Sequence, residues 1–186
     1  MAITLRDIRE ITDADLMELS RRNPGYQLER DSEGRLIVSP AGGESGRRAA
    51  EVIGQLREWA REKGAGPVFD SSTGFKLPDG SVRSPDDAWL RGDRWRALTS
   101  EQREAFPPLC PDAVFEVRSR TDSIDDLRSK MESFIANGAL VGVLIDPYDR
   151  LVEVYRPSGR ATEPAYDRLA LDPELPEFVV DLRALD

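Results

Sequence analysis

At 186 residues, with 39% hydrophobic and 33% charged side chains, the chain is long enough for one sizeable core, and its balance excludes a disordered or fibrous polymer. A net charge of -9 with no histidine weighs against non-specific nucleic-acid binding and excludes Ser/His and Cys/His nucleophilic pairs and histidine-bound zinc. No stretch approaches the roughly 20 apolar residues of a membrane span. The start MAITLRDIREITDADL has no basic and apolar blocks of a signal peptide, and Cys110 has no second cysteine to bridge. A single domain over residues 1–186 in the cytoplasm is the expectation.

Thr12 and Asp15 stand at capping-box spacing before Leu16 and Leu19, which predicts a helix over 12–22 that ends at Asn23-Pro24-Gly25. Residues 26–28 and 35–38 read as strands around the turn 31–34, and 40–43 as a loop. Ala49, Val52, Ile53, Leu56, Trp59 and Ala60 recur at helical spacing, so 44–63 is a helix with Gly64 at its stop position. Val68 to Leu77 and Val82 to Leu90 flank Pro78-Asp79-Gly80-Ser81, a composition that predicts an antiparallel hairpin. A short helix is expected over 99–105, a buried strand over 113–117, and an amphipathic helix over 123–137 closed by Gly138. Residues 140–145 and 151–155 form a further hairpin around 146–149. The Pro-rich tail 157–186 is expected to loop over the surface before a last strand near 178–182. These elements make an α/β chain.

Two carboxylates carry the chemical reading. Alternate residues of a strand share a face, so Glu116 points with Val114, Arg118 and Asp112, among apolar neighbours where a carboxylate needs a partner. Asp86, on the neighbouring strand after Pro85, is the natural one. Two hard oxygen ligands from adjacent strands suit Mg²⁺ with room for water and phosphate, and carboxylates roughly 4 to 6 Å apart would share one ion. The bland alternative is a buried salt bridge from Glu116 to an Arg or Lys. Asp112, four residues away on the same strand, lies roughly 13 Å off and cannot share that ion. Asp87 is expected to face the other side of the sheet as a solvated charge or local cap.

The runs SPAGGESGRRAAEV, VFDSSTGFKLPDGSVRSPDDAWL and LCPDAVFEVRSRTDSIDDLRSKMESFIANGALVGVLIDPYDRLVEVYRP occur in an order that resembles the Uma-two restriction-endonuclease-like family, common in cyanobacteria and other bacteria. The resemblance covers roughly residues 15–182 and implies a PD-(D/E)XK nuclease fold, a mixed central sheet flanked by helices, here with added β-hairpins. It divides the chain into an N-terminal helix and hairpin (12–40), a nuclease-like core (41–156) and a C-terminal extension (157–186). It implies that Asp86 and Glu116 hold Mg²⁺ or Mn²⁺ and that DNA is the substrate. The motif lysine position holds Arg118, which stays protonated and cannot act as a general base, but is able to hold a phosphate or stabilise transition-state charge. The resemblance implies that Lys130, on the following helix, takes that role. Glu44 matches the acidic residue of the first core helix that superfamily members often add to the metal cluster, which the resemblance makes a catalytic candidate, whereas Ser45 stands where many relatives carry histidine.

Other features have plain explanations. Glu44 at a helix start is favoured by the dipole alone, and Arg47 and Arg48 read as a solvated face that is able to meet phosphates. Gly42-Gly43 is a weak phosphate-loop signal, because no Walker lysine follows. Trp59 and Trp89 read as core, and Cys110 as a small buried residue. The expectation is a metal-dependent endodeoxyribonuclease, a homodimer if it cuts both strands. The competing reading is a non-catalytic DNA-binding or interaction domain with the same fold.

Overall fold

The computed structural model describes residues 3–5, 11–40, 42–164 and 166–186. Ala41 of the expected 40–43 loop and Ala165 of the expected tail lie outside them. In chain order the elements are β1 (Ile3–Leu5), α1 (Asp13–Arg22), β2 (Tyr26–Arg30), β3 (Leu36–Pro40), α2 (Gly43–Lys63) and β4 (Val68–Asp70). β5 (Phe75–Lys76), β6 (Val82–Arg83), β7 (Asp87–Trp89), α3 (Gly92–Ala97), α4 (Ser100–Glu104), β8 (Ala113–Val117) and α5 (Ile124–Ala136) follow. The rest is β9 (Val141–Asp146), β10 (Leu151–Arg156), β11 (Gly159–Thr162), β12 (Arg168–Ala170), β13 (Val179–Asp181) and a 3-10 turn, Leu182–Leu185.

The central sheet is mixed, in the order β11-β10-β9-β8-β7-β4, with β8 and β9 parallel and the other pairs antiparallel. A parallel pair needs a crossover, and α5 supplies it. Odd-numbered residues of β8 (Ala113, Phe115, Val117) pack with Val52, Leu56 and Trp59 of α2, while Val114 packs with Met131 and Phe134 of α5. The two helices thus cover opposite faces, the layering of an α/β fold. Gly142 on β9 matters for α5: a Cβ there would lie 2.6 Å from Met131 Cε, so its absence lets the residue next to Lys130 sit low on the sheet.

A second sheet, β1-β3-β2-β6-β5, stands beside the first. The expected hairpin around Pro78 divides between the two sheets. β5 pairs with β6 in the small sheet, whereas β4 pairs with β7 in the large one. Each arm changes sheet at its middle, at Ser71–Gly74 and Ser84–Asp86, and the second bend carries Pro85-Asp86 to the junction of the sheets.

The tail keeps its expected last strand, as β13 within 178–182, but otherwise departs from expectation. Instead of looping over the surface, it buries Leu171, Leu175, Phe178, Val180, Leu182 and Leu185 in the α2-side core. Trp59 donates to Pro176 O at 2.9 Å and its ring lies 5.5 Å from that of Phe178. Proline frequency alone hid this apolar spacing. Among the described residues no helix is long and apolar enough to cross a membrane.

Candidate active site

The β7–β8 register sets Asp87 opposite Phe115 and Ala88 opposite Val114, so Asp86, one step further, stands opposite Glu116. Asp86 shares the parity of Ala88, which packs on the α5 side with Val114; both carboxylates therefore face α5. Asp86 Oδ2 accepts the Val117 N–H at 2.8 Å, which ties the Pro-Asp bend to the end of β8.

From α5, Lys130 reaches down between them with its side chain 11% exposed. Its ammonium lies 2.7 Å from Glu116 Oε1 and 3.0 Å from Glu29 Oε1, and donates to Ser84 O at 2.9 Å. Glu116 Oε1 receives only that ionic contact, with no well-aligned hydrogen bond.

Glu29 was not foreseen. It is 4% exposed on β2, accepts the Ser84 N–H at 2.6 Å and lies 3.5 Å from Arg83. The sequence reading ends that strand at Leu28, and a single acidic residue at a strand end carries no signal that it will face a second sheet. Its alternation with Leu28, which faces the small sheet's own core, is the one available clue.

Three carboxylates, Asp86, Glu116 and Glu29, thus act on Lys130, and Glu29 also meets Arg83. Burial pushes the Glu116 carboxyl up to about 8 against the pull of Lys130, and the charges of Asp86 and Glu29 add to the rise. Burial also raises Asp86, with Lys130 and the Val117 amide opposing. For Lys130 burial works against the charge, but Glu116, Glu29 and Asp86 outweigh it and hold its pKa above the ordinary lysine value. The ammonium stays charged, and the two raised carboxyls favour holding a proton until a cation takes its place.

The other residues singled out in the sequence lie elsewhere. Asp87 does face the opposite side, but it is not solvated: it is 1% exposed, and Oδ2 has no hydrogen-bond partner. Burial first, then Asp86, Glu116 and Asp70, push it up to about 9. Asp112 is buried, paired with Arg94 at 2.9 Å and accepting the Arg91 N–H at 2.8 Å. Arg118 lies just past the end of β8, 2.5 Å from Asp146 and 3.2 Å from Asp149. Glu44 is exposed at the start of α2, bound to Arg47 at 2.8 Å and Arg48 at 3.4 Å, and is not among the groups around Lys130. Trp59 and Trp89 meet edge to face in the core at 5.2 Å, and burial pushes the Cys110 thiol up to about 12.

Among the described residues no group of three or more His, Cys, Asp or Glu side chains is arranged to hold a metal ion. What the face offers is a pair of carboxylate donors, Asp86 and Glu116, beside Lys130. That fits a hard divalent cation that keeps most of its water, as Mg²⁺ does.

No curated protein matches the chain. Among solved structures it is similar to one described as a "putative nuclease belonging to DUF820 from Anabaena variabilis ATCC 29413", with a TM-score of 0.73 and 19% identity over 91% of this chain and 96% of that one. The likeness is one of fold. The model of the Uma2 family, described as "Putative restriction endonuclease", matches residues 13–183, and the chain belongs to that family.

Proposed function

We propose that the protein is a divalent-metal-dependent endonuclease of PD-(D/E)XK type that hydrolyses DNA phosphodiester bonds. The observation that carries this reading is the single face on which Asp86 and Glu116 stand opposite each other with the Lys130 ammonium 2.7 Å from Glu116. Asp86 and Glu116 would hold the ion, Mg²⁺ or Mn²⁺, which when bound supplies Lewis-acid charge on the phosphoryl oxygen and lowers the pKa of its water. Lys130, held by Glu29 and Ser84, places a positive charge where the pentavalent phosphate develops negative charge, and its N–H bonds orient the attacking water. Its raised pKa suits it to donate hydrogen bonds rather than to take a proton. Arg118, committed to Asp146 and Asp149, braces the end of β8.

A homodimer with two-fold symmetry is part of the proposal, since it presents one site to each strand of a duplex. A lone buried thiol fits a reducing, cytoplasmic setting. The test is plasmid cleavage by the purified chain in Mg²⁺ or Mn²⁺. We expect cutting in wild type, and its loss in Asp86→Asn and in Glu116→Gln with melting curves that show folded protein. Tight metal binding with no cleavage of any DNA or RNA form would instead leave the non-catalytic reading standing.

A further inference from the structure

A second feature of the molecule bears on how an acidic protein engages a polyanion. Beyond the end of β8 the chain runs through Ser119, Arg120 and Thr121 along a cavity of about 440 Å³, closed on the other side by the start of α2 with Arg48, and floored by Tyr148. The Arg120 guanidinium lies 4.6 Å from the centre of the Tyr148 ring and that of Arg48 lies 5.2 Å from it. Two like charges on one ring repel unless something negative joins them. Arg120 has no carboxylate partner among the described residues. Arg48 donates to Leu185 O at 2.8 Å and meets Glu44 at 3.4 Å, yet its Nη1 is buried with no acceptor. Glu44, the cavity's carboxylate, is already engaged by Arg47 at 2.8 Å. The hydroxyls of Ser119 and Thr121 lie 3.3 Å apart on the same wall. Guanidinium forks with hydroxyl donors match the oxygens of a phosphodiester.

We infer that this cavity binds a backbone phosphate of the nucleic-acid strand, a few nucleotides from the one that reacts. Ser119 is three residues past Glu116, so at about 3.3 Å per residue it lies no more than about 10 Å from it. Neighbouring phosphates of one strand are further apart than the 3.4 Å of axial rise, so that distance is at most about three nucleotides. The inference rests on the nuclease reading and deepens it: the net charge of -9 does not prevent binding when the contact is local, with Tyr148 as the platform that holds the two arginines together.

The test is fluorescence anisotropy of a labelled 20-base-pair duplex with the full chain in Ca²⁺, over a series of salt concentrations. Arg120 is exposed, so Arg120→Ala is expected to fold as wild type. It should weaken binding by about tenfold and reduce the salt slope by about one phosphate contact. Arg120→Lys should restore much of the affinity, and Arg156→Ala, which removes a cation paired with Glu174, should change neither. Wild-type affinity and slope in Arg120→Ala would overturn the inference while leaving the nuclease reading intact. Displacement of the duplex by millimolar inorganic phosphate, lost in Arg120→Ala, would also overturn it in favour of a small-anion site. If wild type neither binds nor cuts the duplex, both readings fall together.

Discussion

Lys130 shows what a side chain gains from being reached by two sheets at once. An ammonium with 11% exposure is costly unless several acceptors surround it, and here Glu116, Glu29 and Ser84 O do so within 3.0 Å. Lys130→Ala should therefore retain metal binding through Asp86 and Glu116 while cleavage falls by about 10² or more. Glu29→Gln keeps the shape but removes one anchor, and should lower kcat by about tenfold with little change in KM, since Glu29 touches Lys130 rather than substrate. Arg118→Ala is the contrast. It strips Asp146, 1% exposed, of its guanidinium and should lower stability by about 2 kcal/mol or more, yet spare the rate of the folded fraction. Near-normal cleavage in Lys130→Ala with an inactive, folded Arg118→Ala would reverse the two assignments.

Asp87 gives a pH-dependent counterpart. Its folded pKa of about 9 lies above the ordinary 3.8, so the folded state binds the proton more tightly than the unfolded chain. Its contribution is fully present below about pH 4 and is lost as pH rises toward 9, by up to about 1.4 kcal/mol per unit. Asn at this site removes the titration and can fill the orphaned acceptor position with an amide. Melting in chelator should show Asp87→Asn gaining more over wild type at pH 8 than at pH 5; an equal gain at both would refute the assignment. Strand parity gives the face of Glu116, and the structure sets Asp86 opposite it from the bend before β7 rather than from within the strand. The burial of Asp87 was not legible, because parity says which face a residue takes but not whether that face is covered.

At the level of elements, the strongly periodic segments were readable and the bent ones were not. The helices with an unbroken apolar stripe, α2 and α5, fall where their spacing and Gly64 or Gly138 put them, because a stripe of Val52, Leu56 and Trp59 has one way to be buried. The hairpin around Pro78 was legible as a turn, yet not as two sheets, since sheet membership depends on partners distant in sequence. The tail was readable in part: Phe178, Val180 and Leu182 alternate as a strand does, and β13 forms there, but Leu171 and Leu175 stand among prolines with no such period and join the α2-side core only once α2 is in place. Phe178 tests this. Its ring lies 5.5 Å from Trp59 and 6.2 Å from Phe115 at 2% exposure, so Phe178→Ala should cost about 3 to 5 kcal/mol in urea unfolding. A loss under about 1 kcal/mol would mean that the tail is an ornament after all.

Across the whole molecule, the candidate site is assembled from pieces that no single layer contains. Glu116 comes from the large sheet, Asp86 from the bend between the sheets, Glu29 from the small one and Lys130 from the helix that crosses between parallel strands. Folding must therefore bring three carboxylates together inside a chain that already carries a net charge of -9, against their mutual repulsion and the loss of water. A divalent cation that binds only the folded arrangement offsets that penalty, and by mass action it stabilises the whole chain rather than one loop. At a metal concentration about 100 times Kd the gain is about 2.7 kcal/mol, which for a chain of this size raises Tm by roughly 5 to 10 °C. We expect Mg²⁺ or Mn²⁺ to produce that shift in wild type, and Na⁺ at matched ionic strength not to, because screening of surface charge is not selective for valence at a site. The Asp86→Asn, Glu116→Gln double variant should lose the metal-dependent rise. A rise of equal size in wild type and in the double variant would place the bound metal elsewhere on the acidic surface and remove Asp86 and Glu116 as its ligands.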